Sequence, residues 1–246
     1  MLQVRQLPPT AGWDWIVRGF ALFRKSPLNW ILICTALMAI GIVLSMVPYL
    51  GVLLFYLLSP VFLAGVMLGA EALDQGRPLL PTYLLEGFRR GTSALVTVGG
   101  VYLVGQVVID GVVQVMGGAA LQEFVQTVQG SEGGAVPEMP RELMLALLTA
   151  AALSVPLVMA VWFAPLLVIF AGMLPFASLK LSFGACLANI LPLTVYAFIL
   201  MALGFVALIP AALGLVILVP VVFASIYVSY RDIFVAGQEA PAADNG

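Results

Sequence analysis

Apolar residues run almost unbroken through six stretches of this chain, at about 28–48, 51–71, 93–116, 143–171, 190–209 and 211–230, with polar residues gathered between them. A helix needs roughly 20 apolar residues to cross a bilayer, and each stretch supplies about that many. In hydrocarbon every backbone N–H and C=O must be paired within the protein, which leaves helices or closed barrels. Barrel strands alternate in polarity over short segments, whereas these runs are continuous and rich in Leu, Val and Ala. The predicted fold class is therefore all-α, a polytopic membrane protein with six transmembrane helices. Pro48-Tyr49-Leu50-Gly51 joins the first two spans and Pro210-Ala211-Ala212-Leu213-Gly214 the last two, both as tight uncharged turns.

Composition agrees with this pattern. Hydrophobic residues make up 63% of the chain and charged residues 9%, against roughly 25% charged in a soluble domain. Mean hydropathy is +1.13. The chain has no His, which removes the commonest general base and metal ligand together. Cys34 and Cys186 lie in or beside apolar segments and read as small buried hydrophobes rather than a disulfide or metal pair. A net charge of −2 without a basic patch gives no footprint for nucleic acid. The N-terminus does not read as a cleavable signal, because about thirty residues with Pro8 and Pro9 precede the first span and no small-residue cleavage site follows it.

Charge fixes an expected orientation. Six spans put both termini on one side. Arg5, Arg18, Arg24, Lys25, Arg77, Arg89, Arg90, Lys180 and Arg231 fall on that side, and of the ten basic residues only Arg141 falls opposite. The positive-inside rule then predicts cytoplasmic termini. The one long opposite loop, about 117–142, carries Glu123, Glu132, Glu138 and Glu142. Leu121, Phe124, Val125 and Val128 predict a short amphipathic helix within it, and Gly133, Gly134, Pro137 and Pro140 predict a break after that. Residues 235–246 read as a disordered cytoplasmic tail.

A repeat organises the single 1–234 domain into three parallel helical hairpins, about 13–73, 82–171 and 176–234. Each is preceded by a short cytoplasmic amphipathic helix, marked by Arg18-Gly19-Phe20, Glu86-Gly87-Phe88 and Leu181-Ser182-Phe183. Each returns through a proline, Pro60, Pro165 or Pro220, with Phe-to-Pro spacings of 40, 77 and 37 residues. In the first short helix Trp13, Ile16, Val17, Phe20 and Phe23 share an apolar face opposite Asp14, Arg18 and Lys25. Trp13, Phe20, Arg18, Arg24 and Lys25 are thus candidates for an interfacial anchor in the headgroup layer.

An ionisable residue inside a span is a functional candidate. Gln106, Asp110 and Gln114 recur every four residues and form a polar stripe on span three, extended inward by Tyr102. That stripe reads either as the lining of a helix seam, with Asp110 paired to Arg141, or as an ion or substrate path. Glu71, Asp74, Arg231 and Asp232 end their spans as interface residues able to pair between hairpins. Pro60, Pro165 and Pro220 are candidate helix kinks, and neighbouring groups are expected to re-satisfy the carbonyls they free. No acid–base pair, nucleophile–base pair, phosphate loop or metal cluster is legible, so neither an enzyme nor a cofactor is expected.

Several strings together resemble an uncharacterised family of six-span inner-membrane proteins from proteobacteria. They are Gly12-Trp13 with Gly19-Phe20 and Leu22-Phe23-Arg24; Trp162-Phe163-Ala164-Pro165; Lys180 to Cys186 with Asn189 and Pro192; and Tyr230-Arg231-Asp232-Ile233-Phe234. More loosely, the hairpin plan is similar to the membrane domain of some glycerophosphodiester phosphodiesterases, although no phosphodiesterase domain is present. The resemblance implies a bacterial inner (cytoplasmic) membrane location and carries no activity.

Two functions are consistent with these features. One is a non-enzymatic accessory or scaffold component that binds membrane lipids, with a protein partner or homo-oligomer permitted by its small-residue helix faces. The other is a small-molecule or lipid transporter or channel that uses the stripe on the third helix.

Overall fold

The structure, a computed structural model, describes residues 2–130 and 138–235. Glu132, Gly133, Gly134 and Pro137 of the expected loop, and residues 236–246 of the expected tail, lie outside them. Among the described residues there is no strand, and six helical stretches are long and apolar enough to cross a membrane. The protein is a polytopic, all-helical membrane protein. In chain order the elements are α1 (Ala11–Arg24), α2 (Pro27–Ser45), α3 (Leu50–Asp74), a 3-10 helix (Pro81–Phe88), α4 (Thr92–Gly130), α5 (Arg141–Trp162), α6 (Ala164–Ala171), α7 (Pro175–Ala188), α8 (Ile190–Leu208), α9 (Leu215–Tyr230) and a π-helical turn (Arg231–Val235).

The turns after α2 and α8 are as tight as expected. Tyr49, Ala211 and Ala212 take left-handed φ values of 60°, 52° and 64° to make them. Val235, placed at the start of the tail by the sequence, closes the π turn instead.

Three other elements depart from expectation. Span three does not stop near residue 116, and α4 continues to Gly130. At 1.5 Å per residue its 39 residues measure roughly 58 Å, about twice the hydrocarbon thickness. The Gly117-Gly118 pair does not end the helix, because Gly117 seats against Ala146 of α5, where a Cβ would lie 2.8 Å from the Ala146 methyl. Span four is broken at Phe163 into α5 and α6, so Pro165 stands in the first turn of a new helix rather than inside one. The second short helix is 3-10, with Pro81 at its start.

The face of α1 is also rotated from the one its aromatics predict. Ala11, Gly12, Trp15, Ile16, Gly19, Leu22 and Phe23 are buried against α8 and α9, while Trp13, Val17 and Phe20 are exposed. The centre of that contact is Gly19, where a Cβ would meet the Ser225 backbone at 2.8 Å. Glycine adds nothing to an apolar stripe, yet it allows the closest approach.

This contact is one of three. Gly87 of the 3-10 helix touches the Val61 carbonyl of α3 so closely that no Cβ fits. Ser182 of α7 meets Met159 and Phe163 at the end of α5. Each short helix therefore packs on the return span of the hairpin before it, and α1 closes the circle on the last return span. The short helices precede their hairpins in sequence but belong in space to the preceding ones.

The Ser182 contact replaces a backbone rung. Phe163 N–H would pair with the Met159 carbonyl in an unbroken α-helix. Here it donates to Ser182 Oγ at 3.0 Å, and the same hydroxyl donates to Met159 O at 2.8 Å. Ser182 is fully buried. A side chain inserted into the i→i−4 ladder is a recognised cause of a helix break.

Polar groups stitch the rest of this side together. Asp232 accepts from Trp15 Nε1 at 3.0 Å and from both terminal nitrogens of Arg18. That hydrogen bond to Asp232, ahead of all other influences, raises the Arg18 pKa above its ordinary value. Arg231 pairs with Asp74 at 2.5 Å, tying α9 to α3 as the span-end charges suggested. Buried Asn189, between α7 and α8, accepts from Leu7 N–H at 3.0 Å and donates to Arg5 O at 2.9 Å. The N-terminal segment is thereby held down.

Ser182→Ala leaves a buried N–H and a buried carbonyl without their bridge. It is expected to lower stability by about 1–3 kcal/mol, the usual cost of an unsatisfied buried group. Thermal unfolding of the purified protein in detergent checks this, and a wild-type melting temperature would show that the break does not depend on Ser182.

Candidate functional site

The two halves of the bundle differ in closure. In α3 and α9 the residues after the prolines are almost all buried, from Val61 to Ala70 and from Val221 to Tyr230 with few exceptions. The residues before the prolines are exposed or half-buried, apart from Gly51. Of the most apolar window in each span, 50% is buried in that ending at Val235 but only 11% in α2. Lipid tails are as apolar as Leu, so no hydrophobic drive draws the outer halves together.

Between them lies a cavity of about 930 Å³. Its walls come from α2, α3, α4, α5, α6, α9 and the turn before α9, with Met38, Gly41, Phe55 and Val219 among them. Pro60, Pro165 and Pro220 all line it. None of the lining residues is charged, and its hydroxyl, thiol and N–H groups come from Cys34, Thr35, Ser59, Tyr102 and Trp162. Cavities of this size and lining accept largely apolar ligands.

The carbonyl freed by Pro60 is locally satisfied. Pro60 has no N–H to give to the Tyr56 carbonyl, and Ser59 Oγ donates to that carbonyl instead at 3.2 Å. Ser225, below Pro220, is hydrogen-bonded to Tyr196 Oη at 2.7 Å and donates to Val222 O. The indole N–H of Trp162 is buried and, among the described residues, has no partner. Other atoms of that side chain line the cavity, while the nitrogen itself is shut off from it.

The residues singled out by sequence fall into separate places. Pro60 and Pro220 sit inside continuous helices, Pro165 at the α5–α6 break, and all three meet at the cavity. Of the polar stripe, Gln106 is half-buried, Asp110 and Gln114 are exposed, and none of the three lines the cavity. Asp110 is in none of the three ion pairs found among the described residues, so the expected pair with Arg141 does not form. Tyr102 alone joins stripe and cavity, its ring edge-on to Tyr56 at 5.2 Å. Trp13, Phe20, Arg24 and Lys25 are exposed on α1, and Arg18 is tied to Asp232. The cavity itself was not foreseen. The Ser59-Pro60 pair and the spacing of three prolines were its visible traces.

The chain is 31% identical over 207 residues to a probable inner membrane protein of Burkholderia thailandensis, covering 82% of this chain and 76% of that one. It belongs to that family of inner-membrane proteins. No family model matches the chain, and no solved structure matches it. Membership places the six spans in an inner membrane and leaves the occupant of the cavity to chemistry.

Cys186 offers a check on how tightly α7 is seated. It is buried, and burial pushes its thiol up to about 12. The thiolate is the reactive form, so near neutral pH the folded protein should resist maleimide at Cys186 and accept it only after denaturation. Mass spectrometry of labelled peptides reads this directly. Rapid labelling of folded protein would mean that α7 opens readily.

Proposed function

We propose that this protein is a non-enzymatic lipid-binding accessory component of the bacterial inner membrane, with both termini cytoplasmic and an acyl chain held in the cavity between its hairpins. The observation that carries this reading is the uncharged lining of that cavity, set within a chain whose solvent is lipid. An acyl chain already in the bilayer gains no transfer energy on entering the cavity, so its retention rests on close packing against the apolar walls, which offer nothing to a charged ligand. Nine basic residues on the terminal side support the orientation.

The test fills the cavity. A Cβ at Gly41 would meet nothing within 4 Å, so Gly41→Phe projects a ring into the slot without a backbone clash. Native mass spectrometry of gently extracted wild-type protein should find a retained lipid, and Gly41→Phe should lose it while melting normally. Equal retention by both forms would remove the cavity from lipid binding.

A second reading, transport of a small or lipidic molecule, is favoured by one observation. Tyr102 lines the cavity and begins the row Gln106, Asp110, Gln114 that leads toward the non-terminal side. On that reading Asp110→Asn changes flux in reconstituted vesicles by roughly tenfold, the scale of losing one hydrogen bond to a charged group. Wild-type flux in the variant would take the stripe out of the mechanism.

A further inference from the structure

A second, smaller cavity of about 310 Å³ lies at the terminal-side end of α3, walled by the last turns of that helix, the loop after it and the 3-10 helix. Its character is the reverse of the first. Glu71, Arg77, Tyr83, Glu86 and Arg90 carry most of its chemistry, with Thr82 beside them and Leu68 and Leu80 at its apolar margin. Two carboxylates and two guanidiniums face one small volume. Glu86 is paired with neighbouring Arg89 at 3.0 Å, and Arg77 is steered by a hydrogen bond to Gln75 at 2.8 Å. Glu71 and Arg90 enter none of the three ion pairs found among the described residues.

We propose that this cavity binds a zwitterion bearing a phosphate and a primary amine, the chemistry of a phosphoethanolamine group. A lone anion would face Glu71 and Glu86, and a lone cation would face Arg77 and Arg90, so like-charge repulsion disfavours both. A ligand with both charges satisfies the whole wall. Guanidinium forks suit phosphate oxygens, while the glutamates accept from an ammonium with three N–H donors. The margin of Leu68 and Leu80, at the depth where α3 leaves its apolar run, fits a headgroup whose tails stay in the bilayer. The site is independent of the acyl-chain reading, because it involves none of the residues of the larger cavity.

The experiment titrates full-length protein in detergent with short-chain phosphatidylethanolamine, phosphatidylcholine and phosphatidylglycerol, and with glycerophosphoethanolamine. Phosphatidylethanolamine should bind about tenfold more tightly than phosphatidylcholine, which keeps the charge but lacks the N–H donors, and than phosphatidylglycerol, which lacks the amine. Glu71→Gln should abolish that preference, and Arg90→Gln should weaken every phosphate probe. Lys180→Gln, an equal loss of charge at an exposed site on α7 away from the pocket, should change neither. Melting curves of each variant separate loss of binding from loss of fold, and a variant that melts early is replaced by Glu86→Gln or Arg77→Gln. Equal affinity for the three lipids, or a preference that survives Glu71→Gln in a folded variant, overturns the proposal. Binding of glycerophosphoethanolamine as tight as that of the lipid supports the site and makes its source soluble. Binding of the lipid alone supports the site and makes its source a headgroup.

Discussion

Close backbone approach at Gly19, Gly87 and Ser182 is the contact on which the rest of the bundle depends. Helices in a bilayer gain nothing from leaving lipid for each other unless they pack tightly or pair polar groups. This chain does both where each short helix meets a return span. Gly19 lets α1 rest on α9, Gly87 lets the 3-10 helix rest on α3, and Ser182 ties α7 into the end of α5. The Arg18–Asp232 and Arg231–Asp74 pairs then bind across hairpins. Such half-exposed pairs contribute little singly. Their value here is positional, since Asp232 also accepts the Trp15 indole and so fixes α1 against the π-helical turn.

The circle of contacts has a topological consequence. Each short helix leans on the hairpin before it, so the last hairpin would lack its partner if α1 did not supply one from the other end of the chain. The buried α1–α9 contact and the Asn189 grip on Arg5 and Leu7 make that closure. The open outer half follows from the same arrangement. The Gly19 and Gly87 contacts lie below Pro220 and Pro60, the outer halves are held chiefly by α4 packing on α3 and α5, and the space left between the hairpins is an apolar cavity.

What the sequence made legible divides along physical lines. Span number, tight turns and charge asymmetry were readable because each follows from composition over twenty residues or from a rule about cations. The Arg231–Asp74 pair was anticipated because both residues end spans on the same side. The buried face of α1 was misread because an apolar stripe counts large side chains, and the contact is centred on a glycine. The continuation of α4 was missed because Gly117-Gly118 has poor helix propensity in isolation, while Ala146 opposite it supplies a reason to stay helical. The break at Phe163 was hidden because its cause, the hydroxyl of Ser182, stands nineteen residues away. The cavity depended on where all three return spans bend, which no single span records.

The two cavities lie on one helix. Leu63 of α3 lines the apolar one and Glu71 the charged one, roughly 12 Å apart at 1.5 Å per residue. Between them α3 is clamped by the 3-10 helix, whose Tyr83 and Leu84 carbonyls sit against Gly65, and just before Leu63 the Phe88 ring meets Phe62 edge-on at 5.2 Å. Phe62 also faces the apolar cavity. A ligand that spreads the outer halves would press on Phe62 and hence on the helix that carries Glu86. The physical route between the cavities is therefore short and runs through packed side chains rather than through the polar stripe of α4. Coupling between the two cavities has this contact as one route, beside the packing of α2 and α4 on the same 3-10 helix.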